Sequence, residues 1–299
     1  MKQKQGLLFL LITAMILLGS SAFAMPIKWD VSAAGSPGSN WDVDTLTGLF
    51  DQIGFDAQTT TIQYDTDGTP GLSVGDKFSD TGNLDVNGLI APSAIDEEGL
   101  AQLGNYEVTS DWSNIQGEVT GVALDTTTND TRIDVKYTSG TMNFFLDTTM
   151  DAVFANPAGS TPPAGAGGTG FNDGVLIGSL DLLGGIGHTY VDFTGSPVDN
   201  QGSVDLALQF TFMQPGFWLN SLNVDLLTLN PTNFHFALTD MNIDTPTQVM
   251  GVQNNTLYIA HSNENGSVTI DVVPEPGTVL LFGMGLIGLC ITGYRRKKS

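Results

Sequence analysis

The stretch VDLALQFTF, residues 204–212, shows the pattern that decides the fold of this chain. Its large apolar side chains occupy every second position, at Val204, Leu206, Leu208, Phe210 and Phe212. Successive side chains of a strand point to opposite faces of a sheet, so this alternation predicts a strand with one buried face.

Strand signals recur on both sides of residues 204–212. In Arg132–Tyr137, Ile133, Val135 and Tyr137 alternate with charged residues, which is typical of a half-buried strand. The other signals lie at Thr59–Tyr64, Tyr106–Thr109, Gly117–Asp125, Thr141–Asp147, Gly174–Leu183, His188–Phe193, Phe234–Met241, Thr256–Ala260 and Ser267–Val273. Gly, Asn and Asp separate them at short intervals, which predicts a mainly β domain of the β-sandwich or jelly-roll type. The single helix predicted is Ala94–Leu103, which Gly99 interrupts.

One long loop is predicted at Asn156–Gly174, because this stretch is rich in Gly, Pro and Ser and has few large apolar side chains. Two arrangements follow from it. The loop divides residues 25–272 into two subdomains, or it joins strands of a single domain that pair across it. We favour the single domain, since strand signals flank the loop on both sides.

The N-terminus has the three parts of a secretory signal peptide. Lys2 and Lys4 precede the apolar run Gly6–Leu18, and Ala22 and Ala24 are the small residues that signal peptidase reads. We therefore expect residues 1–24 to be a signal peptide, cleaved after Ala24. The alternative is an uncleaved anchor helix.

The C-terminus, residues 273–299, also has three ordered parts. Val273, Pro274, Glu275 and Pro276 precede an uncharged run, Thr278–Tyr294, and the basic cluster Arg295, Arg296, Lys297 and Lys298 follows. Seventeen uncharged residues are at the short end of what spans a bilayer as a helix, for which about 17–25 are needed. Flanking positive charge favours a cytoplasmic C-terminus, so both ends of the chain predict that residues 25–272 lie outside the inner membrane.

These C-terminal residues resemble the PEP-CTERM sorting signal of Gram-negative bacteria. In that family a Pro-Glu-Pro motif, a membrane span and a basic end are recognised by a membrane-embedded transpeptidase-like enzyme, the exosortase. The resemblance implies that Pro274–Pro276 is the motif, Thr278–Tyr294 a single transmembrane helix and Arg295–Lys298 the membrane stop. It covers about a tenth of the chain, and implies a transient inner-membrane intermediate followed by delivery to the outer surface or extracellular matrix.

Charge excludes one class of partner for the exported part. Residues 25–272 hold four strong bases and 31 acids, which gives a net charge of −27. Such a surface repels nucleic acid and anionic lipid, so we predict no nucleic-acid role. The single cysteine, Cys290, lies in the C-terminal run, so residues 25–272 can form neither a disulfide nor a cysteine metal site.

Few residue patterns point to chemistry. Asp65 and Asp67, followed by Gly68, resemble part of a calcium loop, although Gln63 and Val74 stand where such a loop needs its first and last ligands. The alternative is an Asp-Gly turn. His188, His235 and His261 show no metal-binding spacing, and no nucleophile or phosphate motif occurs, so no catalytic residue is assigned. Trp29, Trp41, Trp112, Trp218 and Phe217 either stack on sugars or fill the core.

With no catalytic motif in the sequence, we predict a non-enzymatic protein. The resemblance to PEP-CTERM proteins implies sorting by exosortase after signal peptidase cleavage, and a role in exopolysaccharide-associated biofilm or floc formation. The stretches Gly71–Lys77 and Met142–Thr148 add a weak resemblance to flocculation-associated members of the family. The alternatives are a carbohydrate-binding module, motivated by the tryptophans, and a matrix glycoside hydrolase, for which no dedicated motif is present.

Overall fold

The computed structural model describes residues 26–35, 46–66, 68, 71–90, 106–124, 130–154, 167–191, 202–228, 233–243, 247–248 and 256–271. Among these residues the fold is mainly β, as predicted, and no helix is long and apolar enough to cross a membrane. The predicted helix Ala94–Leu103, both terminal segments, Trp41 and Asp67 lie outside the described residues.

Twelve strands are described, together with short 3₁₀ turns at Val31–Ala34 and Leu226–Thr228. The strands are β1 (Ile27–Trp29), β2 (Gln52–Tyr64), β3 (Lys77–Ile90), β4 (Glu107–Leu124), β5 (Thr131–Ser139), β6 (Thr141–Asp147), β7 (Val175–Val191), β8 (Gly202–Met213), β9 (Trp218–Asn220), β10 (Asn233–Ile243), β11 (Thr247–Gln248) and β12 (Thr256–Asp271).

The large sheet closes on itself. Its antiparallel neighbours follow the order β2, β3, β4, then β5 with β6, then β7, β8, β10 and β12, and β12 pairs with β2. β5 and β6 continue one another across Gly140, and both pair with β4 and with β7. The prediction of two packed sheets in a sandwich or jelly roll is therefore not confirmed, because ten of the twelve described strands form one continuous sheet. β1 and β9 form a separate two-stranded sheet.

The predicted strands lie at the same positions as described strands, but their lengths often differ. β8 contains Val204–Phe212, whose Val204, Leu206 and Leu208 are buried. Three pairs of predicted short strands are single long strands, β4, β7 and β12. β6 and β7 pair with each other across the long loop predicted at Asn156–Gly174.

The interior of the closed sheet is mainly apolar, although the buried Asp80 of β3 also faces it. Side chains that alternate along the strands point inward and join one core cluster, for example Phe55 and Ala57 in β2, Leu84 and Val86 in β3, and Leu206 and Leu208 in β8. In β4 the alternation changes register at a bulge near Asn114, which has a φ of 70°. Asn tolerates this left-handed conformation better than most residues.

One end of the closed sheet is covered, and we call it the capped end. There β2 begins, β3 ends and β12 ends at Asp271. The cover consists of β1 paired with β9, and Phe50, which bridges Ile27. Four buried aromatic rings hold it together, with centroids 4.9–5.7 Å apart in the pairs Trp29–Phe50, Trp29–Phe217, Trp29–Trp218 and Phe217–Trp218. The Trp218 indole also donates a hydrogen bond of 2.7 Å to the Ile177 carbonyl of β7, which fastens the cover to the sheet.

Candidate functional site

Carboxylates gather beside the capped end, where β4 begins and β6 ends. Glu107 is the first residue of β4, Asp147 the last of β6, and these two residues are paired in the sheet. Asp151 follows on the loop after β6, and carboxylate oxygens of the three residues lie within 4.8 Å of one another. We call Glu107, Asp147 and Asp151 the acidic cluster.

Backbone donors of the loop occupy much of this cluster. Glu107 accepts hydrogen bonds from the backbone N–H groups of Asp151, at 3.1 Å, and Ala152, at 3.0 Å. Asp147 accepts bonds of 2.9 Å from both the backbone N–H and the hydroxyl of Thr149. The cluster therefore fixes the course of the loop that leaves β6.

The environment moves two pKa values of the cluster in opposite directions. Burial raises the pKa of Glu107, and the negative charges of Asp85 and Asp147 add to the effect, against the N–H groups of Asp151 and Ala152. Burial alone would raise the pKa of Asp147 as well, but the hydrogen bonds from Thr149 outweigh it and the pKa lies below its usual value. Two neighbouring carboxyls with opposite shifts have the electrostatic character of an acid and base pair.

A third carboxyl with a shifted pKa lies on the outer face of the sheet. Burial raises the pKa of Asp85 to about 6, and Asp56, directly opposite it in β2, adds charge repulsion. Sequence reasoning missed this pair, because residues 25–272 contain 31 acids and the sequence gave no way to tell which of them meet across strands.

A cavity of about 250 Å³ adjoins the acidic cluster. It is lined by Val31, Ala34, Gly35, Tyr106, Leu146, Asp147, Thr148, Asp173, Gly174 and Val175. Two carboxyls, those of Asp147 and Asp173, are part of its lining. Glu107 is not part of the lining, and the volume is below the roughly 300–1,000 Å³ usual for small-molecule pockets.

Oxygen ligands of this kind suit a hard cation such as Ca²⁺, and the acidic cluster is the group of described residues that could hold one. The predicted calcium residues lie elsewhere. Asp65 follows the last residue of β2 and accepts a 2.6 Å hydrogen bond from the backbone N–H of Gly68, as in an Asp-Gly turn. Calcium binding by Asp65 and Asp67 stays a prediction.

Asp76, close to that turn, has a structural environment. Its fully buried carboxylate accepts hydrogen bonds from the backbone N–H groups of Thr66, at 3.1 Å, and Ser73, at 2.7 Å, and from the Ser73 hydroxyl at 3.1 Å. The carboxylate thus closes the loop between β2 and β3.

The structure corrects the sugar-stacking interpretation of the aromatic residues. Trp29, Trp112, Trp218 and Phe217 are buried, so none of them offers a ring face at the surface. The carbohydrate-binding alternative loses its basis in these residues. Two of the histidines have separate hydroxyl partners, His188 with Ser203 at 3.1 Å and His261 with Thr60 at 3.0 Å.

The comparisons with known proteins bear on the C-terminal segment. The PEP-CTERM protein-sorting motif matches residues 272–297, which confirms the resemblance drawn from the sequence. The match includes Val273–Pro276 and Arg295–Lys297, and Lys298 lies one residue beyond it. Neither the curated proteins nor the solved structures give a match. The motif implies export and exosortase-dependent sorting to the cell surface.

Proposed function

Because this chain carries the PEP-CTERM protein-sorting motif, we propose that it is a non-enzymatic structural or adhesive component of an exopolysaccharide-associated matrix, acting in biofilm or floc formation. Signal peptidase removes residues 1–24, exosortase acts near Val273–Pro276, and residues 278–294 hold the intermediate in the inner membrane. The processed domain then lies at the outer surface or in the extracellular matrix of a Gram-negative bacterium.

The observation that carries this proposal is the position of the motif. β12 ends at Asp271, and the matched residues begin at Val272. No described strand includes a matched residue, so removal of the motif leaves the pairing of β12 with β2 and β10 intact. A domain that keeps its sheet pairing after processing suits a durable matrix component.

The charge of the domain supports the same role. With a net charge of −27 over residues 25–272, copies repel one another in solution, and divalent cations or basic partners attract them. Such a protein associates with a matrix through the divalent cations or basic partners that its negative charge attracts. It adheres without needing a deep ligand pocket.

The test is deletion of the gene in the producing bacterium, followed by measurement of aggregation and of matrix polysaccharide. We expect aggregation to fall and to recover when the full chain is restored. A chain with Pro274→Ala and Pro276→Ala is the matched control, and it should not restore aggregation if sorting is required. Unchanged aggregation and matrix content in the deletion strain would contradict the proposed role.

A matrix glycoside hydrolase is the second candidate, and the acidic cluster favours it. Glu107, with a raised pKa, and Asp147, with a lowered one, have the electrostatic pattern of a general acid and its partner carboxylate. The loop N–H groups that Glu107 binds weigh against it, because they give its carboxylate a structural partner.

One substitution separates the two functions. Glu107→Gln keeps an acceptor for the loop but cannot supply a proton, so a hydrolase would lose more than about a hundredfold in rate. We expect no release of reducing sugar from matrix polysaccharide by either form. Release by the unmodified protein that the variant lacks would establish the hydrolase instead.

A further inference from the structure

The path of the chain places the sorting motif at a defined end of the domain. β12 runs towards the capped end and ends at Asp271, which pairs with Asn233 at the start of β10. Two residues earlier, Thr269 pairs with Gln52, the first residue of β2. The chain therefore enters the motif from the capped end.

The link to the proposed membrane segment is short. Six residues, 272–277, separate Asp271 from Thr278, where the uncharged run begins. A fully extended chain covers at most about 3.6 Å per residue, so Asp271 lies within roughly 25 Å of that run. With residues 278–294 inserted, the capped end cannot move far from the bilayer surface.

The capped end also exposes apolar side chains. Leu49, Ile90, Leu222, Val224 and Leu227 are between 39% and 79% exposed, and we call them the apolar rim. Leu222 is the most exposed of the five, at 79%, on the turn that follows β9. Exposed apolar side chains also occur elsewhere among the described residues, for example Val74 and Ile186. What distinguishes the apolar rim is its place at the capped end.

Strand register ties the apolar rim to the exit of the chain. Ile90 pairs with Gln52, which also pairs with Thr269 of β12, so Ile90 and Thr269 flank the same residue. At about 4.8 Å between strands, they are roughly 10 Å apart across β2. The cover brings in the other members, because Ile27 pairs with Asn220 of β9 and bridges Phe50, next to Leu49.

We propose that the apolar rim lies against the lipid surface of the membrane while the sorting motif is inserted, so that the capped end faces the bilayer. This inference rests on the proposed membrane intermediate. A short tether gives the rim an effective concentration in the millimolar range at that surface. Weak insertion of single leucines is therefore enough to keep the rim in contact with the lipid. Cleavage removes the tether and releases the rim from the lipid.

The charges near the apolar rim determine which lipid headgroups it can approach. The acidic cluster and Asp173 lie beside the capped end, and so does Asp51, whose backbone N–H donates a hydrogen bond to the Ile90 carbonyl. These acids repel anionic headgroups, so the rim favours a zwitterionic surface. Asp225 lies between Val224 and Leu227, but its carboxylate accepts hydrogen bonds from the backbone N–H groups of Gly216, at 2.7 Å, and Leu227, at 2.9 Å.

The chain suits a labelling experiment because Cys290 is its only cysteine. In the full chain with Cys290→Ser, Leu222→Cys places a fluorophore on the apolar rim. Val74→Cys is the matched control, because Val74 is 61% exposed on the loop between β2 and β3, at the opposite end of the sheet. Each form is reconstituted in phosphatidylcholine vesicles containing a small fraction of lipid with a nitroxide on its headgroup.

We expect nitroxide quenching to be several-fold stronger at position 222 than at position 74, and to weaken when anionic phosphatidylglycerol replaces part of the phosphatidylcholine. Equal quenching at the two positions, in protein that floats with the vesicles, would overturn the inference and leave the membrane intermediate in place. Protein that does not float with the vesicles would overturn both.

A second variant separates apolar contact from tethering alone. An insertion of about twelve Gly and Ser residues after Val272 lengthens the flexible link. Quenching at position 222 should persist with the insertion. It should fall to the level at position 74 when Leu49→Asp and Leu227→Asp are added. Loss of quenching on insertion alone would show that proximity, without apolar contact, brought the label to the lipid.

Discussion

Asp56 and Asp85 lie directly opposite each other on β2 and β3, on the outer face of the closed sheet. Like charges in opposed positions of neighbouring strands destabilise a sheet. Here burial and this repulsion raise the pKa of Asp85 to about 6 from 3.8. The pair therefore costs the fold stability when both residues are ionised.

The first prediction is that Asp85→Asn stabilises the domain near pH 8 and has little effect near pH 3.5. The folded protein binds the Asp85 proton more tightly than the unfolded chain does, so the contribution of Asp85 to stability falls as pH rises from about 4 to about 6. Above that range the substitution should gain on the order of 1 kcal/mol, a figure reduced because Asp85 is partly screened by solvent.

Urea unfolding of the domain at the two pH values checks this prediction. Asp181→Asn, on the outer face of β7, is the matched control and should show no comparable rise at pH 8. A loss of stability at pH 8 in Asp85→Asn would contradict the account of the pair.

The second prediction concerns Gly82, which lies opposite Trp112 of β4. A Cβ atom at residue 82 would approach the Trp112 ring to 2.2 Å and the Gln58 carbonyl to 2.7 Å. Gly82→Ala should therefore destabilise the domain by about 1–3 kcal/mol, because the buried ring has to shift.

The matched control is Gly88→Ala in the same strand, where a Cβ atom meets nothing within 4 Å. Thermal unfolding should separate the two variants, with a clearly lower midpoint for Gly82→Ala. Equal midpoints would mean that Trp112 does not pack against residue 82.

The third prediction is that Asp76→Ala destabilises the domain by about 1–3 kcal/mol, because it removes the buried carboxylate that accepts hydrogen bonds from the backbone N–H groups of Thr66 and Ser73. Asp76→Asn keeps one oxygen acceptor and should lose less. Denaturant unfolding measures both, and an unchanged midpoint in Asp76→Ala would contradict the loop-closing role of this carboxylate.

The fourth prediction concerns calcium at the neighbouring turn. Since Asp65 already accepts a hydrogen bond from Gly68, we expect no calcium-dependent rise in melting temperature from this loop at millimolar calcium. Asp65→Asn is the diagnostic variant. A rise that this variant abolishes would establish the calcium loop, whereas a rise that it retains would direct attention to the acidic cluster.

The sequence predicts the β class well because apolar and polar side chains alternate along strands that have one apolar face, as in β8 and β6. It misses β3 because two inward positions of this strand are Asp80 and Gly82, which interrupt the apolar pattern. Gly82 is small because Trp112 fills its place, a reason that only the pairing of β3 with β4 reveals.

Closure of the sheet could not be predicted from the residue pattern within single strands either. It depends on β12 pairing with β2, between residues about 200 positions apart in the chain, and alternation within a strand carries no information on its neighbours. The acidic cluster is hidden for the same reason, since Glu107 and Asp147 meet only through the pairing of β4 with β6. The sorting motif differs, because its parts are contiguous in sequence.

The central claim is that the motif at residues 272–297 directs exosortase-dependent delivery of the domain to the cell surface. Intact-mass analysis of the protein from the surface and extracellular fractions tests it most directly. The account predicts a chain that begins at Met25 and ends near Val273–Pro276, and its absence from a strain that lacks exosortase. A surface protein of full C-terminal length, or the same processed mass without exosortase, would contradict the account.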